Sequence, residues 1–414
     1  MAAGHVEGML MKMTLRIALC AVALLAFSAV SAADGSQWRA AGDLITPRTG
    51  HTATLLQDGR VLVVGGVTNG DDLVNVLDSA ELYDPGTGAW NVTGRLSRPR
   101  SGHTAARLLD GRVLVAGGCN TFAQSPERLD DCVTAELYDP ATETWSSTGN
   151  LTARRIGSTA TLLSTGQVLV AGGSCCSAES YDPITGTWSP VGGFVDVYRD
   201  QYTATLLPNG QVLAAGGSID ADLLFGVSTA ESYDPVASGW SATGDLNVAR
   251  ATHTATLLPN GKVLAAGGYT LFTFGHAGHT RFANGLLFAH IAELFDPATG
   301  GWAKTGALNV GRFGHTATLL ADGQVLLAGG ATGFPSAGTD SAELYHPIRE
   351  TWTSTASLNT ARIGHSATVL LDGTVLVAGG NAVPFAVLKS AELYVARPLC
   401  DKNHYILDFP CAPQ

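Results

Sequence analysis

Charge is scarce in this chain. Only 14% of its 414 residues are Asp, Glu, Lys or Arg, and 24 basic residues face 35 acidic ones, a formal net charge of −11. A protein that grips nucleic acid by neutralising phosphates needs the opposite balance, so no nucleic-acid partner is expected. The 50 glycines follow no G-x-y period, which excludes a collagen-like triple helix. Beyond the first 32 residues no apolar run is long enough to cross a membrane. The cysteine spacings form no zinc signature, and no Gly-rich phosphate loop opens a helix. No acidic pair stands apart from the rest in the way a glycoside hydrolase requires. Disorder is excluded too, because 45% of the residues are hydrophobic and can build a core. Low charge, abundant glycine and many Thr and Val favour strands and turns over helices.

The start of the chain reads as a targeting segment. Lys12 and Arg16 precede the apolar run Ile17–Val30, and Val30-Ser31-Ala32 offers small residues for cleavage before Ala33. This predicts a signal peptide over 1–32, a secreted or periplasmic mature protein, and no membrane span after cleavage. Six cysteines lie outside that segment, and several pairings are open to them. Proximity favours Cys119–Cys132 and Cys400–Cys411, leaving the adjacent Cys175 and Cys176.

What the chain does have is a repeat. GHTATLLQDGRVLVVGG at Gly50–Gly66 recurs as GHTAARLLDGRVLVAGG at Gly102–Gly118, and five further copies follow. A hydroxyl residue opens each copy: Thr52, Thr104, Thr159, Thr203, Thr254, Thr316 and Ser366. The first glycine of a Gly pair always stands 13 residues later. Each pair is followed by a glutamate (Glu81, Glu136, Glu179, Glu231, Glu293, Glu343, Glu392), and in six copies a tryptophan stands nine residues beyond it. Only the interval from the second glycine to the glutamate varies widely, from 6 to 25 residues. Constant spacing marks fixed local structure, and variable spacing marks a loop.

Each copy predicts four strands, a to d from the inside outward. Asp-Gly or Asn-Gly between a and b is the signal of a two-residue hairpin in six copies. Strand b is continuously apolar, as expected of a strand buried on both faces. Four-stranded units repeated around a ring form a β-propeller, here all-β with seven blades. The seventh copy lacks its tryptophan, yet Trp38 stands 14 residues before Thr52, the regular interval. The N-terminal segment Gln37–Gly42 therefore supplies the outer strand of the last blade and closes the ring. The propeller is expected over 33–398, followed by a tail over 399–414.

The Gly pair, the strand-c Tyr and the spaced Trp resemble the kelch repeat over nearly the whole mature chain. Kelch propellers include enzymes, adaptors and structural proteins. The favoured reading is a non-catalytic binding protein with no cofactor, which takes a protein, peptide or glycan on the face of the b–c and d–a connections. The alternative is a carbohydrate-active or galactose-oxidase-like copper oxidase. That resemblance implies a Tyr-His copper pair just before strand a. His51, His103, His253, His315 and His365 stand at the histidine position, but the preceding residue is Gly or Thr.

An arginine lies four residues before each opening hydroxyl: Arg48, Arg100, Arg155, Arg199, Arg250, Arg312 and Arg362. In similar animal kelch domains such arginines line the funnel mouth and bind acidic peptides. The resemblance thus implies an anion-binding ring. Seven matching glutamates imply the competing role of a repeated structural ion pair. Tyr202, which stands in the histidine position of its copy, is a further binding candidate. It lies in Tyr198–Tyr202, the segment that departs most from the repeat. An asymmetric site over blades three to five is expected, roofed by the Tyr269–His290 loop with Phe272, Phe274, Phe282 and Phe288 as anchors.

Overall fold

The computed structural model describes residues 35–69, 74–120, 132–173, 177–195, 199–218, 226–271, 275–276, 279–280, 286–333, 338–382 and 386–396. The leader over 1–32, the tail over 399–414, and Cys175, Cys176, Cys400 and Cys411 fall outside these residues.

Seven four-stranded antiparallel sheets form seven blades. Blade one consists of Thr52–Leu55, Val61–Val64, Ala80–Asp84 and Ala89–Val92. The other blades start at the hydroxyl residues named above, and the innermost strands of neighbouring blades touch around the ring. Gln37–Asp43 pairs with Ser390–Val395 of blade seven, with Trp38 opposite Tyr394. The ring is thus closed by the N-terminal strand, which leaves no unpaired outer edge on strand c.

The core lies between blades. Strand b of blade one alternates its side chains: Leu62 and Val64 pack with Val113, Val115 and Tyr138 of blade two. Val61 and Val63 pack with Leu376 and Ala378 of blade seven. Because neighbouring residues on a strand point to opposite faces, a strand serving two seams must be apolar at every position. Burial of each such Val or Leu is worth about 1.5–3 kcal/mol.

The Gly pairs also belong to the seams. Gly66 donates its N–H to the carbonyl of Arg100 in the next blade at 3.0 Å. A Cβ on Gly65 would lie 2.5 Å from that carbonyl and 2.9 Å from His103 Cε1, so no larger residue fits.

Two details differ from the sequence expectation. The a–b turns are hairpins with three linking residues. In blade one Gly59 donates to Leu56 O and Leu56 to Arg60 O, and only Gly59 has positive φ. A two-residue type I′ turn needs positive φ at both positions, whereas a type I turn followed by a left-handed glycine needs it once. The second concerns the long loop of blade five, whose backbone forms two short antiparallel ladders. One pairs Tyr269–Leu271 with Leu286–Phe288, the other Gly275–His276 with His279–Thr280. Phe272, Phe274 and Phe282 lie outside the described residues, and so does the side chain of Phe288.

Candidate functional site

The d–a connections carry the residues singled out in the sequence. They form three layers, of which only the first repeats in all seven blades.

The first layer is a clamp inside each blade. Arg48 donates from Nη2 to Glu81 Oε1 at 2.5 Å, and from Nη1 to Gly65 O and Ser79 O, each at 3.0 Å. Glu81 also accepts the backbone N–H groups of Ile45 and Thr46 at 2.7 and 3.0 Å. The pair thus pins the connecting segment to strands b and c. All seven blades repeat it, with N–O distances of 2.5–2.9 Å. The seven arginines are 0–1% exposed. For Arg250, burial lowers the guanidinium pKa while Glu293 opposes that shift. The anion-binding role of Arg48, Arg100, Arg155, Arg199, Arg250, Arg312 and Arg362 is therefore corrected. Their heads are turned inward and neutralised by their own blades. An incoming carboxylate could meet them only by breaking a buried pair.

The second layer is a clasp between blades. His103 Nε2 lies 2.9 Å from Thr52 Oγ1 of the preceding blade. His253, His315 and His365 make the same contact to Thr203, Thr254 and Thr316 at 3.0–3.1 Å. Tyr202 replaces the histidine at the seam of blades three and four. It donates to Ala171 O at 2.6 Å and lies 2.7 Å from Thr159 Oγ1. At 6% exposure it is a seam residue, not a ligand contact as expected, and burial pushes its phenol pKa upward. Burial, aided by Arg100, pushes the His103 pKa down to about 3, so the ring is neutral. Ser158 occupies the histidine position at the seam of blades two and three. Its buried Oγ has no hydrogen-bond partner.

This layer does not suit copper. Each histidine spends Nε2 on a hydroxyl, each serves a different seam, and none follows a tyrosine. Among the described residues no three His, Cys, Asp or Glu side chains stand close enough together to hold a metal ion. The side chains of His276 and His279 lie outside the described residues.

The third layer is the mouth of the axial funnel. The residue before each histidine position has left-handed backbone. It is glycine in five blades, at φ 60–73°, but Gln201 at 52° in blade four and Thr252 at 54° in blade five. Backbone hydrogen bonds link these residues across several of the seams. Gly157 donates to Gly102 O at 2.8 Å, Thr252 to Gln201 O at 3.0 Å, and Gly364 to Gly314 O at 3.2 Å. A left-handed β-branched residue is a genuine outlier, and such strain costs about 1–3 kcal/mol. Gln201 Oε1 accepts from Thr252 Oγ1 at 2.9 Å and from Tyr269 Oη at 3.1 Å. Tyr269 stands edge-on to Phe313, ring centres 5.2 Å apart. Asp200 Oδ1 accepts the N–H of Gln201 at 2.7 Å. Partial burial raises the Asp200 pKa, against the Gln201 hydrogen bond. The polar cluster Asp200, Gln201, Thr252 and Tyr269 thus sits on one side of a mouth otherwise ringed by glycine. Sequence reasoning located the segment through its departure from the repeat, but chose Tyr202 over its neighbours.

Cys119 and Cys132 form a disulfide across the b–c connection of blade two, with Cα atoms 4.8 Å apart.

Comparison with known proteins agrees with this architecture. A family model described as "Kelch motif" matches residues 47–96. An F-box/kelch-repeat protein of Arabidopsis thaliana is 28% identical over 31% of this chain and 28% of its own length. Beta-scruin of Limulus polyphemus is 28% identical over 27% of this chain and 12% of its own. Kelch-like protein 41a of Danio rerio is 36% identical over 25% of this chain and 16% of its own. The matched segments thus span well under a third of these relatives. A fungal alcohol oxidase solved in complex with copper superposes with TM-score 0.67 at 18% identity, over 87% of this chain and 76% of its own. YjhT gives 0.55 at 17%, over 76% and 99%. At such identities the structures speak for the fold alone. The chain is a seven-bladed β-propeller that carries a kelch motif over residues 47–96.

Proposed function

We propose that this propeller is an exported, non-catalytic binding protein that takes a protein, peptide or glycan ligand on the face of the b–c and d–a connections. The observation that carries this reading is the pair Gln201 and Thr252. Five blades relieve the left-handed mouth position with glycine, and two adjacent blades do not. Left-handed non-glycine residues kept at this position in two adjacent blades, and tied there into a hydrogen-bonded cluster, support recognition. The variable b–c loops on the same face supply the evolvable rim around it.

The test is a protein and glycan array probed with the full chain and with the Gln201→Gly/Thr252→Gly double variant. The expected result is retention of a ligand by the wild type and its loss in the variant, with an unchanged or higher melting temperature. Equal retention by both proteins would move the site away from blades four and five. For export, the check is the intact mass of protein recovered outside the cytoplasm, with Ala33 as the expected first residue.

A further inference from the structure

Resting on that reading, we infer that the mouth receives a cationic side chain, lysine or arginine, presented by an extended peptide segment. The argument starts from what the clamps remove. All seven arginines nearest the mouth are buried and matched one to one by glutamates, so none lends positive charge to the opening. Of the residues at the left-handed position and the one before it, in all seven blades, Asp200 alone is ionisable. Its placement is specific. Where Gly157, Thr252 and Gly364 donate their N–H to the carbonyl of the preceding blade, Gln201 donates to the Asp200 carboxylate. The carboxylate lies against the backbone of Gly157 in blade three. A Cβ there would be 2.7 Å from Oδ1, so only glycine leaves room for it. Oδ1 is thereby fixed, and Oδ2 remains available as an acceptor.

The neighbouring groups extend this surface. Thr252 spends its hydroxyl proton on Gln201 Oε1, which leaves oxygen lone pairs for an ammonium or guanidinium. The Gln201 amide nitrogen keeps its two donors, suited to a peptide carbonyl beside the cation. A fixed carboxylate and a flanking hydroxyl oxygen complement a basic side chain and repel an acidic one.

Three fluorescent peptides of equal length, differing only in a central Arg, Gln or Glu, titrated against the full chain test this. The Arg peptide is expected to bind at least tenfold more tightly than the Glu peptide, and to weaken as salt rises. Asp200→Asn should remove both the preference and its salt dependence, and melting curves establish that the variant is folded. Preference for the Glu peptide, an Arg preference that survives Asp200→Asn, or no discrimination among the three would overturn the inference while leaving the array result for the binding reading intact. Failure of the array as well would overturn both.

Discussion

His51 of blade one reaches across the closing seam to Ser366 of blade seven, with Nε2 2.9 Å from the serine Oγ. The outer strand closes the ring at its rim, and this bond closes it near the axis. Burial, with Arg48 adding to it, pushes the His51 pKa down to about 3, and burial acts in the same direction on His103, His253, His315 and His365.

That depression has a sign. The unfolded chain protonates these histidines near pH 6.5, whereas in the folded chain His253 and His315 resist to well below that and His51, His103 and His365 to about pH 3. Between those values the unfolded state holds more protons, so stability is full above about pH 6.5 and falls as the pH drops toward 3. Melting temperatures from pH 8 to pH 4 should decline below pH 6.5. His315→Gln should flatten the decline while lowering the melt at neutral pH by an amount corresponding to about 1–3 kcal/mol. A melt independent of pH over that range would show that the clasps open at little cost.

The second prediction concerns the outer closure. Trp38 packs on Tyr394 with ring centres 5.1 Å apart, and its indole N–H donates to Ala356 O of blade six at 2.8 Å. Deleting residues 33–42 removes both and exposes the backbone of Ser390–Val395 as an unpaired edge. A lower melting temperature and concentration-dependent aggregation are expected by scanning calorimetry and light scattering. Trp38→Ala alone should cost about 3–5 kcal/mol, in line with loss of a large buried aromatic side chain.

Much of this was legible in the sequence because a repeat is its own alignment. Seven concordant spacings fixed the blades, the Trp interval revealed the closure, and the matching counts of Arg and Glu raised the clamp. What stayed hidden depends on direction and curvature. Whether the Arg48 guanidinium faces the funnel or its own blade is a matter of side-chain trajectory, which no spacing encodes. The pairing of His51 with Ser366 joins residues 315 apart in the chain. Gln201 and Thr252 were visible as departures, but their meaning required knowing that the position is left-handed. In principle the five glycines at that position could have signalled it.

Ser158 supplies the third prediction. Six of the seven seams have a His or Tyr clasp, and at the seam of blades two and three a serine with an unpartnered buried hydroxyl stands in its place. Ser158→His should place Nε2 near Thr104, as His103 does near Thr52. A gain of about 1 kcal/mol, read as a rise of a few degrees in melting temperature, is expected for one added buried hydrogen bond. A fall in melting temperature would mean that the seam has already closed over the space an imidazole needs.

The clamps carry the last prediction, where stability and recognition separate. Arg312 and Arg155 occupy equivalent places in blades six and three, and each makes four or more hydrogen bonds to its own blade. Removal of either leaves a buried glutamate and several carbonyls without a partner. The expected cost is about 3–5 kcal/mol at each, because a stranded buried charge loses its partner but not its desolvation. Lysine should not rescue. One ammonium cannot reproduce the fork that reaches Glu343 Oε1, Gly329 O and Ser341 O together. Chemical denaturation of Arg155→Ala, Arg312→Ala and Arg312→Lys is the measurement. Large and equal losses at the two alanine sites are expected. A loss under about 1 kcal/mol at Arg155 would instead mean that its head is effectively solvated. It would return that arginine to the candidates for ligand binding.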